Sequence, residues 1–463
     1  RISPSTAYDY DTSIPLVFNG KWFQKQNNGT EVYQQHIAPT LAKVMGISKP
    51  SGSTVDALPI LTQEKSKPDI VVVTVIDQGG MGLINTHKSV APRIQALMAS
   101  SANFTNAHVG HLDAHTAVGH MAIGTGAFPI KSSVIGNTFF RMKKENGKNT
   151  LLQDEIYAGK DESKVDTTEL KAETLGDVLN RENKGNSVLA SQSYALRASI
   201  GMGGHGALGL TQNAKEIAAN SFIYWLNSSE SRWITDTRYY SLPKVAAASD
   251  VLLAYLKYYP KGYEGYSIRD KKDAHKNWGV IMATPAETQL EGELMRAVIR
   301  EEILNKKKNH DGFTDLIYIS FKSADAVGHQ FGYHSLQARE TLAAIDGQIG
   351  AMQDFLTKEY GDNYVLVLTA DHGCAPVSEI SGGARLTIEE IYAAVDALLP
   401  QDVAAKESLI NFATVGQISL NHALMQQYNI PLEKIRTTIL NLRPQGRTFF
   451  KEILTRKDLG VDN

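Results

Sequence analysis

The chain has 463 residues, of which 42% are hydrophobic, and its formal net charge is −2. A chain of this length can bury one large core or two unequal ones, and with no basic stripe it gives no support for a nucleic-acid polymer as partner. Cys374 is the single cysteine, which excludes an intramolecular disulfide framework and a cysteine-rich zinc module.

Apolar runs alternate with helical patterns along the chain. Residues 70–76, 315–320 and 364–369 have the length and composition of buried parallel strands. A helix is predicted at about 90–100, and a second one precedes the third strand. One face of that second helix is marked by apolar residues at spacings of three and four: Leu342, Ile345, Ile349, Met352 and Leu356. This order predicts an α/β fold with a mostly parallel central sheet flanked by helices.

Residues 145–310 have a different character. They are richer in polar residues, contain the charge run NKKKNHDG and hold most of the tyrosines. We interpret them as a cap region inserted over the functional edge of the sheet. The core would then consist of residues 66–144, which carry the candidate nucleophile, and residues 311–463, which carry most of the candidate metal ligands.

Carboxylate and imidazole side chains follow the three predicted strands. Asp77 ends the first run, Asp325 and His329 follow the second, and Asp371 and His372 end the third. Carboxyl ends of parallel strands share one edge of a sheet, so these groups predict a metal centre, and a pair of ions in particular. Two of these groups have a structural alternative. Asp77 could be a strand-end residue that caps the next turn, and Asp325 with His329 could be the N-terminal aspartate of a helix and a histidine whose hydrogen bonds are satisfied within the core. Such ligands suit zinc and also accept manganese or iron.

A glycine-punctuated segment, HTAVGHMAIGTGAFPIKSSVIGN, extends from His115 to Asn137. Thr116 lies where a helix is expected to begin, and exposed amides at such a position favour anions. A hydroxyl beside two divalent ions can ionise and attack phosphorus, and Asn137 can donate a hydrogen bond to a phosphoryl oxygen. The alternative for Thr116 is an ordinary helix N-cap. His108, His111, His115 and His120 crowd this segment, and each is more consistent with a structural role than with a ligand.

With these residues in place, the chain resembles the threonine-nucleophile branch of the alkaline phosphatase superfamily. That branch includes bacterial alkaline phosphatases, type I phosphodiesterases and nucleotide pyrophosphatases. It carries a T-x-x-G-H string with an asparagine twenty-one residues after the threonine, which Thr116, Gly119, His120 and Asn137 match. The resemblance implies an alkaline-phosphatase-like fold with a cap, and a phosphothreonine intermediate.

The same resemblance assigns the ligands of two zinc ions. One ion would be held by Asp77, Thr116, Asp371 and His372, and the other in part by Asp325 and His329. It also implies a periplasmic or secreted location. The sequence contains no signal peptide and no apolar run near the roughly 18 residues that span a bilayer. Because it begins at Arg1, we expect a processed or trimmed chain.

The order of segments departs from the family pattern. Residues 9–53 resemble the family's C-terminal strand and helix, yet they come first here, so residues 1–60 form a segment in apparently circularly permuted order. Termini that lie close together make such a permutation physically tolerable. The order is either native or a product of how the sequence was assembled.

Two departures concern the site chemistry. The family's third protein ligand for the ion at Asp325 and His329 is a histidine whose place falls near Pro4, and no histidine precedes His36. A catalytic zinc usually has three protein ligands. Monoesterases of this branch also carry a lysine and an arginine two residues apart. The arginine is present as Arg197, but Ala195 stands at the lysine position.

The sequence thus predicts a metal-dependent phosphate ester hydrolase with a small-molecule substrate. The cap favours a phosphomonoesterase, while Ala195 favours a phosphodiesterase or nucleotide pyrophosphatase because one of two phosphate-binding cations is lost. A catalytically degenerate relative that only binds a phosphorylated ligand is the third reading, supported by the missing histidine.

Overall fold

The central sheet of the larger of two units has nine strands in this computed structural model. The structure describes residues 6–145, 148–263, 271–414 and 416–460. The chain divides into unit 1, Arg1–Ala375, and unit 2, Pro376–Asn463.

The three strands at the middle of the central sheet have seven residues each, and fifteen strands lie in the described part of the chain. They are β1 (Leu16–Asn19), β2 (Gln26–Asn28), β3 (Val32–Tyr33), β4 (Ile70–Ile76), β5 (Ala102–Phe104), β6 (Ala107–His108), β7 (Thr138–Glu145), β8 (Lys148–Glu155), β9 (Leu189–Gln192), β10 (Ser221–Asn227), β11 (Arg232–Ile234), β12 (Asp315–Phe321), β13 (Tyr364–Ala370), β14 (Ile410–Ala413) and β15 (Ile418–Leu420).

Helices separate most of the strands. They are α1 (Asp9–Thr12), α2 (Ile37–Met45), α3 (Met81–Thr86), α4 (Pro92–Ser100), α5 (Thr116–Thr125), α6 (Pro129–Ser132), α7 (Leu175–Glu182), α8 (Leu196–Gly203), α9 (Ala214–Asn220), α10 (Lys244–Ala247), α11 (Val251–Tyr258), α12 (Lys271–Lys276), α13 (Trp278–Met282), α14 (Pro285–Ile299), α15 (Ser323–Phe331), α16 (Leu336–Tyr360), α17 (Ser378–Ser381), α18 (Ile388–Asp396), α19 (Gln401–Ala404), α20 (His422–Gln427) and α21 (Leu432–Leu440). A π-helical turn, Arg300–Leu304, extends α14, and 3-10 turns lie at Gln34–His36, Lys88–Val90 and Pro444–Gly446.

The central sheet has the strand order β11-β10-β9-β12-β4-β13-β1-β5-β2. Strands β10, β9, β12, β4 and β13 run parallel to one another, β11 is antiparallel to β10, β1 is antiparallel to both β13 and β5, and β2 is parallel to β5. The predicted mostly parallel sheet and its three central strands are therefore confirmed, within one residue at the strand ends.

Both faces of the sheet are covered, because successive side chains of a strand point to opposite faces. Residues Val71, Val73 and Val75 of β4 belong to a core that includes residues of α2, α5 and α8. The alternate residues Ile70 and Val72 belong to a second core that includes residues of α4, α14 and α16. A strand buried on both sides reads as a continuous apolar run, which is why the sequence pattern located it.

The three central strands end at the same level. Ile76, the last residue of β4, is the Cα partner of Phe321 in β12 and of Ala370 in β13. The residues that follow each strand therefore emerge side by side at one edge of the sheet.

The N-terminal segment belongs to this sheet as well. Strand β1 lies between β13 and β5, and the turn after β13 hydrogen-bonds to α1, with Gly373 N donating to Asp11 O at 2.6 Å and Cys374 N donating to Tyr10 O at 3.0 Å. A Cβ on Gly373 would lie 2.1 Å from Tyr10 O, so only glycine permits this approach. Whether this segment reflects a native permutation stays a prediction.

The observed units differ from the predicted division of the chain. Strands β9, β10 and β11 come from the segment 145–310 and join the central sheet: β9 pairs in parallel with β12, β10 in parallel with β9, and β11 antiparallel with β10. Residues 376–463, predicted as part of one core segment, form a separate unit. That unit has its own buried cluster, which includes Val395 of α18 and Ile435 of α21. The placement of a cap over the functional edge stays a prediction.

No described helix combines the length and the apolarity that crossing a bilayer requires.

The predicted apolar face of α16 is confirmed, and it gives a stability test. Leu342 is fully buried, whereas Leu336 in the same helix is 73% exposed. We expect Leu342→Ala to lower the free energy of unfolding by about 2–5 kcal/mol, because a core cavity is left behind. Leu336→Ala, the matched control, should change it by no more than about 0.5 kcal/mol. Equilibrium urea unfolding measures both, and equal effects would contradict the assignment of this face.

Candidate metal centre

Asp77, Lys322 and Asp371 are the residues that directly follow β4, β12 and β13. Because those strands end at the same level, the three side chains meet at one edge of the sheet. All three are buried. Two carboxylates and one ammonium thus share a small volume that contains little water.

Asp77, Asp371 and His372 present donors suited to a cation. They belong to two overlapping groups that could hold an ion, Asp77 with Asp325 and His372, and Asp77 with His120 and Asp371. His372 Nε2 lies 3.2 Å from Asp371 Oδ2 and 3.9 Å from Asp77 Oδ1. All three atoms are buried, and none has a hydrogen-bond partner in the described part of the chain. Buried polar groups are nearly always satisfied, so three convergent atoms without partners indicate a place for a metal ion.

The remaining atoms of this set are held in orientations that suit a ligand. His372 Nδ1 lies 2.9 Å from Gly373 O; because a carbonyl only accepts, Nδ1 carries the proton and Nε2 presents a lone pair. Asp371 Oδ1 accepts hydrogen bonds from the backbone N–H groups of Gln78 and His372, at 2.9 and 2.8 Å. The free oxygen and the free nitrogen therefore face the same space.

The electrostatics of this set also call for a cation. Burial raises the pKa of Asp371 well above its ordinary value, and the neighbouring Asp77 raises it further. Burial lowers the pKa of His372 to about 4, which keeps the imidazole neutral near pH 7. A bound divalent ion would offset the repulsion between the carboxylates and use the neutral imidazole as a ligand.

Asp325 and His329 lie beside this set, on helix α15, but their atoms are already engaged. Asp325 Oδ1 lies 3.2 Å from His329 Nε2 and accepts a hydrogen bond from Gln78 Nε2 at 3.2 Å. Asp325 Oδ2 lies 2.7 Å from Lys322 Nζ. Burial alone would raise the pKa of Asp325, but the charges of Lys322 and His329 outweigh it and hold that pKa well below its ordinary value.

Thr116 is the first residue of helix α5 and is buried. Its Oγ1 lies 3.5 Å from Lys322 Nζ, which places the hydroxyl at the metal centre. Asn137 Oδ1 accepts a hydrogen bond from Ala117 N at 2.9 Å. Asn137 thereby caps the start of α5 and leaves its amide N–H groups for another acceptor. The predicted pairing of Thr116 with Asn137 in space is thus observed.

His120 lies beside the metal centre, with Nδ1 3.4 Å from Asp371 Oδ2, and belongs to one of the two groups that could hold an ion; its structural role stays a prediction. Its Nδ1 donates to Thr116 O at 2.8 Å, and its Nε2 lies 2.8 Å from Ser320 Oγ. His115 is paired with Asp113, and His108 Nε2 lies 2.8 Å from Asn106 Oδ1.

His111 differs from the other three histidines of this segment. Both of its ring nitrogens are buried without a hydrogen-bond partner among the described residues. Burial lowers the pKa of His111 to about 3, and the nearby His372 and His115 contribute in the same direction.

Arg197 lies on α8 and donates from Nη1 to Glu155 Oε1 at 2.8 Å. Its positive charge lowers the pKa of Lys322 slightly. Ala195 is the N-cap residue of α8 and is half-buried. Arg197 is the one charged side chain of α8, and its role as a phosphate-binding cation stays a prediction.

Sequence reasoning missed Lys322. Its Nζ lies 2.9 Å from Asp77 Oδ2 and 2.7 Å from Asp325 Oδ2. Burial lowers the pKa of Lys322, but the charges of Asp325 and Asp77 outweigh this and raise it above the ordinary value. Alignment of the three strand ends would have found it, because Lys322 ends the string SFK at the position where Asp77 ends VID and Asp371 ends TAD.

Comparison with known proteins agrees with this arrangement. The family model for type I phosphodiesterase / nucleotide pyrophosphatase matches residues 71–459. Alkaline phosphatase PhoV of Synechococcus elongatus is 25% identical over 346 residues, which are 69% of this chain and 61% of PhoV. Alkaline phosphatase PafA of Elizabethkingia meningoseptica is 24% identical over 428 residues, 82% of this chain and 74% of PafA.

A solved structure shares the fold. The crystal structure of wild-type PafA has a TM-score of 0.65 and 21% identity, covering 82% of this chain and 77% of PafA. The chain spans about three-fifths of the length of PhoV. Residues 1–70 precede the part that the family model matches, although β1 lies inside the central sheet.

Gly119 fixes the approach of α5 to the metal centre. A Cβ at this position would lie 2.4 Å from Asp371 O, whereas a Cβ on Gly347 of α16 meets nothing within 4 Å. We expect Gly119→Ala to lower the free energy of unfolding by about 1–3 kcal/mol through overpacking. Gly347→Ala, the control, should raise it by about 0.5–1 kcal/mol. Thermal and urea unfolding measure both, and stabilisation by Gly119→Ala would contradict the close approach.

Proposed function

Because the chain belongs to the type I phosphodiesterase / nucleotide pyrophosphatase family, we propose that it is a metal-dependent phosphate ester hydrolase. The observation that carries this proposal is the convergence of Asp77 Oδ1, Asp371 Oδ2 and His372 Nε2 without partners, beside the buried hydroxyl of Thr116. Relatives named as alkaline phosphatases support monoesters as substrates. The family's own description supports diesters as the alternative.

The metal ion would be held by Asp77, Asp371 and His372, with Thr116 as its fourth ligand. Two oxygen donors and an imidazole fit zinc, and they also accept manganese or iron. When bound, such an ion polarises a coordinated hydroxyl and offsets charge on phosphoryl oxygens. The second set, Asp325 and His329, fits an ion less well, because both carboxylate oxygens of Asp325 are already bonded.

Thr116 Oγ would attack phosphorus in line with the leaving oxygen. An O–P bond forms to Thr116 as the P–O bond to the leaving alcohol breaks, which gives a phosphothreonine. Water then adds to phosphorus, the Thr116 O–P bond breaks, and phosphate is released. Splitting one displacement into two is the usual advantage of a covalent intermediate.

Non-bridging oxygens need fixed donors during this transfer. The Asn137 amide N–H groups are available because its Oδ1 already accepts from Ala117 N. Arg197 offers a guanidinium next to the site. Donors of this kind act where charge develops in the transition state.

A phosphate-binding relative without turnover is the second candidate. The missing third histidine and the engaged oxygens of Asp325 favour it. The family resemblance also supports a periplasmic or secreted location and a small-molecule ester as substrate, which are part of the proposal.

The nucleophile assignment predicts a sharp difference between two variants. Thr116→Ala should lose on the order of 10³-fold or more in kcat, because a methyl group cannot attack phosphorus. Thr116→Ser retains a hydroxyl and should keep measurable turnover. We would measure hydrolysis of an aryl phosphate monoester and the matching diester by zinc-supplemented protein at mildly alkaline pH.

Thermal unfolding of the same proteins controls for loss of fold. Full activity of Thr116→Ala would reject the nucleophile. No activity of the natural chain on either ester would favour the ligand-binding candidate, whereas activity on both would give the monoester-to-diester ratio directly.

The residue at position 195 is expected to set part of that ratio. Ala195→Lys would place a second cation two residues from Arg197 and should raise the monoester-to-diester ratio of kcat/KM about tenfold, because charge-assisted hydrogen bonds favour the dianion. Ala195→Met matches lysine in length without the charge and should leave the ratio unchanged. Equal ratios in the two variants would show that position 195 does not face the phosphate.

A further inference from the structure

Lys322 Nζ has two short contacts and one longer one. It donates to Asp77 Oδ2 at 2.9 Å, contacts Asp325 Oδ2 at 2.7 Å and lies 3.5 Å from Thr116 Oγ1. Its side chain is 7% exposed. An ammonium has three donors and no acceptor, so these three oxygens match its capacity.

The backbone of Lys322 fixes this position. Lys322 directly follows β12, in line with Asp77 and Asp371, and its N–H donates to the two oxygens of Glu291 at 3.3 and 3.4 Å. Burial raises the pKa of Glu291 well above its ordinary value, and the nearby Glu287 contributes. Burial does the same to Glu287.

The formal charges of the centre balance with a single divalent ion. Three buried carboxylates, Asp77, Asp325 and Asp371, face the Lys322 ammonium. One divalent ion at Asp77, Asp371 and His372 would complete neutrality, and buried charges persist only when they are compensated. A second divalent ion would leave a net positive charge beside the lysine.

A second ion would also have to displace Lys322. The donors on that side are Asp325, whose Oδ2 is bound to the ammonium, and His329, whose Nε2 lies 3.2 Å from Asp325 Oδ1. Asp325 also lies within ligand distance of Asp77 and His372, a group that could hold an ion. The ammonium, rather than a shortage of donors, is therefore what keeps a second ion out.

We propose that the Lys322 ammonium occupies the place of the second metal ion, so that this chain binds one divalent ion and uses lysine as its second cation. The proposal rests on the proposed function and deepens it. Lys322 is a positioning residue for Asp77 and Asp325, and its third donor is directed to the side of the site where Thr116 Oγ1 lies.

Zinc stoichiometry tests the proposal without reference to turnover. We would titrate metal-free protein with zinc by isothermal calorimetry and measure bound zinc by elemental analysis after dialysis. The natural chain should bind one equivalent. His329→Ala should also bind one, because His329 holds no ion. Lys322→Ala, which removes the ammonium and opens space, should bind two, and Lys322→Arg, which keeps the charge, should bind one.

Each result has a defined meaning. Two equivalents in the natural chain, reduced to one by His329→Ala or His111→Ala, would overturn the lysine proposal and leave the proposed hydrolase intact. One equivalent in a folded Lys322→Ala would overturn the claim that the ammonium excludes the second ion. No binding of zinc, manganese or iron to the natural chain in the same titration would reject the metal-dependent hydrolase itself. If Lys322→Ala does not fold, Lys322→Met, which keeps most of the side-chain volume without the charge, replaces it and should bind two.

Discussion

The constraint on which this structure depends is the burial of three carboxylates at one edge of a parallel sheet. Strands β4, β12 and β13 end in register. The residues that follow them are therefore brought close together by the backbone, even where their charges repel. An uncompensated carboxylate in such a place costs several kcal/mol. This cost explains what lies around Asp77, Asp325 and Asp371. The Lys322 ammonium compensates part of the negative charge, and Asp77 Oδ1, Asp371 Oδ2 and the neutral His372 Nε2 are placed so that a cation can compensate the rest.

Close backbone approach makes the compensation possible. Gly119 and Gly373 let α5 and the N-terminal segment approach the turn after β13, where any side chain at either position would collide with a carbonyl oxygen. Gln34 Nε2 donates to the carbonyl oxygens of Ala370 and Asp371, both at 2.7 Å. The last residues of β13 are thus fixed from two sides. Rigid positioning of this kind suits a site whose ligands have to keep their geometry before an ion arrives.

The sequence predicted what depends on periodicity and spacing. Strands such as β4 and the buried face of α16 follow from local patterns that read the same in any context, whereas the proximity of Thr116 to Asn137 was expected from the family resemblance. Lys322 and the separate unit 376–463 were not predicted, because they depend on register and on which apolar faces pack together. A lysine after a strand usually lies in solvent, and only the alignment of three strand ends shows that this one is buried.

The choice of cation bears on the choice of substrate. A divalent ion attracts a phosphate dianion more strongly than an ammonium does, because the Coulomb energy scales with charge. Lys322 in the second cation position and Ala195 beside Arg197 each reduce the positive charge that faces the phosphate. A centre that is neutral before substrate arrives distinguishes a monoester dianion from a diester monoanion only weakly. Discrimination then falls to Arg197, whose guanidinium is already paired with Glu155 at 2.8 Å, so a substrate has to compete with that carboxylate for it.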